Sequence, residues 1–358
     1  MKSKPEHRRH LFAALASLLA LCLFIAATSI SHSTSALRRK EGVAVSCTRT
    51  MLGTLVTLTV VAPDEESAEG HIAAAFDRVV CLEQCLSAHK ADSELSLLNA
   101  QAAHSPVKVS EKLFRIISAS IAAHKRTRGA FDIAVKPLLD LWRRCGKEER
   151  LPTADEIAQA RTLIGADRIE MDATAHTVRF PVEGMQVDLG GLGKGFIADE
   201  VVRLLRNRGV KGALVAMAGD IYALGLRTDG SPWRVGIQDP RQSDSSQAVL
   251  GALYLSNQAV STAGNYERYV VIQGRRFSHI VDPRTGLTVE DVPSVTVVGP
   301  DTLTTDIMDT ALSVLGVREG LEVIKDMPGV EAMFITIDDK KEPRFTRSRG
   351  FSRWEANP

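Results

Sequence analysis

Val187-Asp188-Leu189-Gly190-Gly191-Leu192-Gly193-Lys194-Gly195-Phe196-Ile197-Ala198-Asp199 reads as the end of a strand, a glycine-rich loop and the start of a helix. Glycines at 190, 191, 193 and 195 let backbone approach a neighbour closely, because no Cβ stands in the way. The residues after them, Phe196 to Leu205, carry apolar side chains at helical spacing. Free N–H groups at a helix start, with Lys194 beside them, suit a phosphate. The two common nucleotide patterns do not match. A Walker loop has Ser or Thr directly after its Gly-Lys, where this chain has Gly195, and the glycine spacing departs from the dinucleotide fingerprint. A tight strand-to-helix turn is the alternative reading.

Outward from this stretch, three others carry chemistry. Asp306, Asp309 and Thr310 stand at i, i+3 and i+4, so on a helix they share one face and aim oxygens at one point. Such a donor set suits a hard cation such as Mg2+; capping of a helix start by its aspartates is the alternative. His279, ahead of Ile280-Val281-Asp282-Pro283-Arg284-Thr285-Gly286, could take a proton near neutral pH or simply bond to the turn that follows it. Gly129-Ala130-Phe131-Asp132 reads as a helix end with Phe131 in the core. Asp188 could cap its own loop through backbone N–H groups, and Lys194 could neutralise a phosphate or reach to solvent.

The chain has 358 residues, 44% of them apolar, with a net charge of +1. That supports a sizeable core and gives no basic stripe for nucleic acid. Lys2, Lys4, Arg8 and Arg9 precede an uncharged run from Leu11 to Ala27. This is the pattern of a signal peptide or an N-terminal membrane anchor, so residues 1–30 are assigned to it and residues 31–46 to a linker. The positive flank stays inside, which predicts export to the periplasmic side of a bacterial inner membrane, anchored or released. Cys47, Cys81, Cys85 and Cys145 show no zinc spacing. They are expected to be buried structural cysteines, with a disulfide allowed by the exported setting.

Strands are predicted at Thr54–Val61, Gly212–Met217, Trp233–Ile237, Val249–Leu255, Ala259–Thr262, Tyr269–Ile272, Val295–Val298 and, as the last, Glu331–Ile337. Helices are predicted after Asp64, Ser110 and Thr153, and over Thr304–Leu315 with Gly316 as their stop. Strands and helices do not alternate strictly, which favours α+β with mixed sheets over a doubly wound parallel fold.

Taken together, Val187-Asp188-Leu189-Gly190-Gly191 with Lys194-Gly195, Gly129-Ala130-Phe131-Asp132, His279 to Gly286, and Asp306-Ile307-Met308-Asp309-Thr310-Ala311 resemble the ApbE family of FAD:protein FMN transferases, in the same order along the chain. The resemblance covers roughly residues 48 to 352 and implies one catalytic domain, residues 47–354, with two intimately joined lobes. It implies FAD as substrate and Mg2+ held by Asp306, Asp309, Thr310 and the backbone carbonyl at Gly191. It further implies flavin contacts at Ala130, Phe131, Asp132, Asp188, Lys194 and Ile280. Leu52 falls where the family commonly has methionine, and His89 where it often has an aromatic residue over the ligand. His279 is the expected base, with Asp306 catalytic as a ligand. The implied reaction moves FMN to a threonine of a partner protein, such as a subunit of a membrane redox complex, and releases AMP. An FAD pyrophosphatase using water instead of threonine, and an exported flavin-binding protein without activity, are the rival readings. Ser261-Thr262-Ala263-Gly264-Asn265-Tyr266-Glu267 and Ala218-Gly219-Asp220 resemble further family segments, with Ala263, Asn265 and Ala218 as departures.

Overall fold

The computed structural model describes residues 42–241, 248–264 and 269–355. The N-terminal segment assigned to a signal or anchor and the Asn265-Tyr266-Glu267 part of the family-like segment lie outside the described residues. Strands β1 (Val43–Met51) and β2 (Thr54–Ala62) form a hairpin, followed by helices α1 (Glu65–Leu86) and α2 (Glu94–Gln101), strand β3 (Val107–Lys108) and helix α3 (Glu111–Arg126). Helices α4 (Lys136–Lys147) and α5 (Ala154–Thr162), strands β4 (Glu170–Asp172) and β5 (Thr177–Arg179), and helix α6 (Gly193–Asn207) come next. Then come β6 (Gly212–Met217), β7 (Asp220–Leu224), β8 (Trp233–Gln238), β9 (Val249–Leu255), β10 (Gln258–Gly264), β11 (Tyr269–Ile272), β12 (Arg275–Ser278) and β13 (Ser294–Gly299). The helical run α7 (Thr302–Lys325) and strands β14 (Glu331–Ile337) and β15 (Pro343–Arg347) complete the order. No helix among the described residues is long and apolar enough to cross a membrane.

An eight-stranded sheet in the order β1-β2-β6-β7-β10-β13-β14-β15 organises the chain. The period-2 alternation of its strands sends successive side chains to opposite faces. Ala259, Val295, Val297, Ala332 and Phe334 join the main core, beneath α1, α6 and α7. Their neighbours Val260, Val298, Met333 and Ile335 join a second core on the other face, closed by Trp233, Leu253 and Leu255 of the β8–β9 hairpin and by Phe351 and Trp354. Strand β13 is buried at every position, as expected of a central strand covered on both faces. At the β1–β2 end the outer face is polar instead: Thr48 bonds Thr57 at 2.9 Å, and Thr59 donates to Ser46 at 3.0 Å. A third apolar cluster joins α4 and α5 to β11 and β12 through Leu138, Trp142, Ala160, Ile272 and Phe277.

The α+β expectation holds, with a correction. Every named strand pair among the described residues is antiparallel, so the sheets are not mixed. The linker also ends earlier than assigned: residues 43–46 belong to β1, whose polar side chains hid a strand that pairs along the full length of β2. Glu331–Ile337 is not the last strand, because β15 follows as an edge. The four cysteines in the described residues are free, and only Cys145 is buried; Cys81 is exposed, and Cys47 and Cys85 are half-buried.

Helix starts follow the local chemistry closely. Asp64, Ser93, Ser110 and Thr153 each accept from the backbone N–H three residues on, and Thr153 forms a full capping box with Glu156. The helical run α7 breaks at Gly316, whose φ of 73° is non-helical, where the sequence predicts the stop.

Two long-range features lock α6 against α7. Asp199 on α6 accepts from Thr302 N–H at 2.8 Å and Leu303 N–H at 2.9 Å, while Asp301 takes Thr304 N–H at 2.8 Å, so two carboxylates cap the start of α7. Gly195 meets α7 so closely that a Cβ there would lie 2.4 Å from the Thr302 carbonyl oxygen and 2.8 Å from Asp306 Cβ. A Cβ on Gly193 would have its nearest neighbour at 3.8 Å. Gly195→Ala should therefore destabilise by about 2 kcal/mol or more, since backbone cannot yield as a flexible side chain would. Gly193→Ala should be neutral or stabilising by up to about 1 kcal/mol. Chemical denaturation of the two variants measures the difference; equal stabilities would show that the α6–α7 contact is not tight.

Candidate active site

Asp306, Asp309 and Thr310 lie on one face of α7, as their spacing predicts, and the fold brings Asp220 to them from β7. One carboxylate oxygen from each of Asp220, Asp306 and Asp309 lies within 4.8 Å of the others, and all three residues are buried. Asp220 holds the first position of β7, after a tight turn in which Ala218 takes φ 56° and Gly219 runs against β10, where a Cβ would stand 2.9 Å from the Thr262 carbonyl oxygen. Lys194, in the first turn of α6, forms an ion pair with Asp220 and places its Nζ 3.5 Å from Asp306 Oδ1. The other oxygen of Asp306 accepts the Gly195 N–H at 2.8 Å. Thr310 Oγ1 donates to Asp309 Oδ1 at 3.2 Å.

Electrostatics follow from this packing. Burial first, then the neighbouring carboxylates, pushes the Asp306 and Asp309 carboxyls above the ordinary aspartate range. Burial by itself would lower the Lys194 ammonium, but Asp220 and Asp306 outweigh it and hold the lysine above its usual value. Three buried carboxylates share one ammonium, which leaves a deficit of two positive charges when all are ionised. Hard oxygen donors with that deficit fit a divalent cation such as Mg2+.

The glycine loop is not strand-flanked as expected. Val187 has no strand partner; the Asn99 side chain takes its place, accepting Val187 N–H at 2.8 Å and donating to Val187 O at 2.9 Å. Asp188 caps its own loop, accepting Gly190 N–H at 2.7 Å, and its own N–H reaches Ile133 O at 2.7 Å. None of the four loop glycines takes a positive φ, so their role here is close approach. A Cβ on Gly191 would sit 3.4 Å from the Phe131 ring and 3.5 Å from Thr310 Oγ1, which puts three of the predicted residues in one corner.

Ala130, Phe131 and Asp132 are buried. Asp132 is committed to structure on several sides: Oδ1 accepts Ala134 N–H at 2.7 Å, Oδ2 accepts Ala166 N–H at 3.2 Å, and His124 Nδ1 lies 3.4 Å from Oδ2. The His279 loop packs beside this segment, since a Cβ on Gly129 would lie 3.8 Å from Arg284 Cγ. Arg284 is clamped by Asp282 and reaches Glu319 at 3.7 Å, and Trp142 Nε1 donates to Gly286 O at 2.9 Å. His279 itself is exposed, directly after β12, while Ile280 is buried. Leu52 lies in the β1–β2 turn with φ 56°, partly buried against the core, and His89 is exposed in the turn after α1. The carboxylate cluster thus gathers Lys194, Gly191, Asp306, Asp309, Thr310 and Phe131, while Leu52, His89 and His279 lie on separate turns. Asp220, Asn99 and His124 are site or support residues that sequence reasoning missed. Only Asp220 carried a signal, as an acid directly after a strand-ending Ala-Gly turn.

Comparison with known proteins agrees with this arrangement. Residues 52–334 match the profile of the ApbE family. The chain is 33% identical over 287 residues to an FAD:protein FMN transferase of Klebsiella pneumoniae, covering 80% of this chain and 87% of that protein. It is 33% identical over 308 residues to an FAD:protein FMN transferase of Treponema pallidum, covering 81% of this chain and 84% of that one. Among solved structures, the apo form of the Pseudomonas stutzeri flavinyl transferase ApbE superposes with a TM-score of 0.76 at 30% identity, over 87% of this chain and 97% of that one. The ApbE protein of Thermotoga maritima gives a TM-score of 0.78 at 29% identity, over 88% and 100%.

The His124–Asp132 pair gives this corner a pH dependence. Hydrogen bonding to Asp132 raises the His124 pKa above 6.5, assisted by Asp167, whose Oδ1 lies 3.4 Å from Nε2. Protonation is then favoured by the folded state, so the pair stabilises fully below pH 6.5 and the benefit fades as pH rises through the raised value. His124→Gln should cost about 1 kcal/mol at acidic pH, with the deficit shrinking toward alkaline pH. Melting temperatures of the parent and the variant across pH check this; a deficit that grows with pH contradicts it.

Proposed function

The chain belongs to the ApbE family and transfers FMN from FAD to protein, and we propose that it does so onto a threonine side chain with Mg2+ held by Asp306, Asp309, Thr310 and the Gly191 carbonyl. The observation that carries the reading is the buried cluster of three carboxylates short of two positive charges, with Lys194 at its edge. A bound dication would stabilise charge on the pyrophosphate oxygens.

The remaining roles belong to the chain. The Lys194 ammonium offers hydrogen bonds to phosphate, where negative charge grows as the pyrophosphate breaks. Phe131 and Ile280 give apolar surface for the isoalloxazine ring, and Asp188 and Asp132 hold the two loops that frame it. The acceptor threonine Oγ attacks the phosphorus of the FMN half, a phosphoester bond forms, and the P–O bond to the adenylate breaks. His279, at the exposed end of its loop, accepts the threonine proton, and AMP leaves with the bridging oxygen. The acceptor is a protein carrying an accessible threonine, such as a subunit of a membrane redox complex. The charged flank and uncharged run of residues 1–27 support export to the periplasmic side.

The test is intact-mass measurement of a threonine-bearing acceptor incubated with the enzyme, FAD and titrated Mg2+. The acceptor should gain one FMN for each AMP released. Asp306→Ala should lower transfer by roughly a hundredfold or more, as loss of an electrostatic stabiliser does, with an unchanged circular dichroism spectrum. A folded variant working at the parental rate would refute the metal assignment, and AMP release without acceptor labelling would identify a pyrophosphatase. For location, a reporter fused after Pro358 should be active only if it works outside the cytoplasm; activity of a cytoplasm-only reporter refutes export.

A further inference from the structure

Asp220 is 3% exposed, sits on a different element from the other two carboxylates, and spends its ion pair on Lys194, whose side chain is 23% exposed. Its backbone is fixed in the sheet, opposite Met217 on β6 and Ser261 on β10. Lys194 also leans toward Asp306, at 3.5 Å, whereas Asp309 has its hydroxyl neighbour Thr310 at 3.2 Å. Three carboxylates, one ammonium and one dication sum to zero charge, so the lysine and the cation together complete what neither supplies alone. We propose that Asp220 is a positioning residue that keeps the Lys194 ammonium at the cluster as the built-in part of its counter-charge. This inference rests on the metal reading above. When a dication takes Asp306 and Asp309, Lys194 loosens from Asp306 and stays tethered by Asp220. Its freed N–H donors then remain at the site for an anionic oxygen of the substrate. Without Asp220, the lysine would settle on Asp306 and compete with the cation for it.

Calorimetric titration with Mg2+ alone, in the absence of FAD and acceptor, tests this on the whole protein. Asp220→Asn should weaken Mg2+ binding about tenfold, and Lys194→Met should tighten it about tenfold, because each changes the charge beside the cation by one unit at a few ångströms. The double variant Lys194→Met with Asp220→Asn restores the net charge and should bind within about threefold of the parent. A double variant as weak as Asp220→Asn alone would make Asp220 a metal ligand in its own right and overturn the proposal. So would a Lys194→Met protein that binds Mg2+ no more tightly than the parent. If Lys194→Met does not fold by itself, the double variant, which keeps the charge of the cluster, decides against Asp220→Asn. Failure of the parent to bind Mg2+ would overturn the metal reading along with this inference; binding by the parent that is indifferent to these substitutions would overturn this inference alone.

Discussion

The Gly195 N–H reaches the Asp306 carboxylate at 2.8 Å across the joint between α6 and α7, and the rest of the site depends on that approach. It ties an orphan donor in the first turn of one helix to a carboxylate on another, with no side chain between them. The same joint holds Asp199 over the start of α7. Both helices lie on the sheet that supplies Asp220, so the positions of Lys194, Asp306, Asp309 and Thr310 follow from a single packing contact. A methyl group at position 195 would push apart the residues that must converge.

Charge explains why such tight burial is tolerable. Buried carboxylates are costly unless neutralised, and here one lysine, one backbone N–H and one hydroxyl serve three of them. The cluster is therefore held under electrostatic tension. That tension suits a site whose ligands, a dication and a pyrophosphate, both carry charge. Stability and function pull in opposite directions at these residues, and the surrounding apolar core of Phe131, Leu192, Phe196 and Met308 absorbs the conflict.

Around the cluster, loops are held by side chains that imitate backbone. Asn99 acts as the missing strand beside Val187, and Asp132 ties its loop to Ala134 and Ala166. Asp282 and Trp142 do the same for the loop that follows His279. Irregular backbone near a site needs such partners, because buried N–H and C=O groups cannot be left unpaired. The flavin-facing segments are thus rigid without belonging to the sheet.

Local signals in the sequence determined much of this protein. The caps at Asp64, Ser110 and Thr153, the alternation in β2, the stop at Gly316 and the shared face of Asp306, Asp309 and Thr310 all arise between residues a few positions apart, where spacing alone fixes geometry. The ordered motifs were legible for the same reason, and they pointed to the family before any fold was known. Tertiary structure decided what depends on distant partners. It showed β1 as a strand despite its polar pattern and Val187 as a segment paired only by Asn99. It also showed Gly195 as a packing requirement rather than a source of turn flexibility, and Asp220 as a member of the carboxylate cluster. Close approach and charge convergence are properties of pairs such as Gly195 with Thr302 or Asp220 with Asp306, which lie far apart along the chain. They come into being only when the sheet and its two helices pack together.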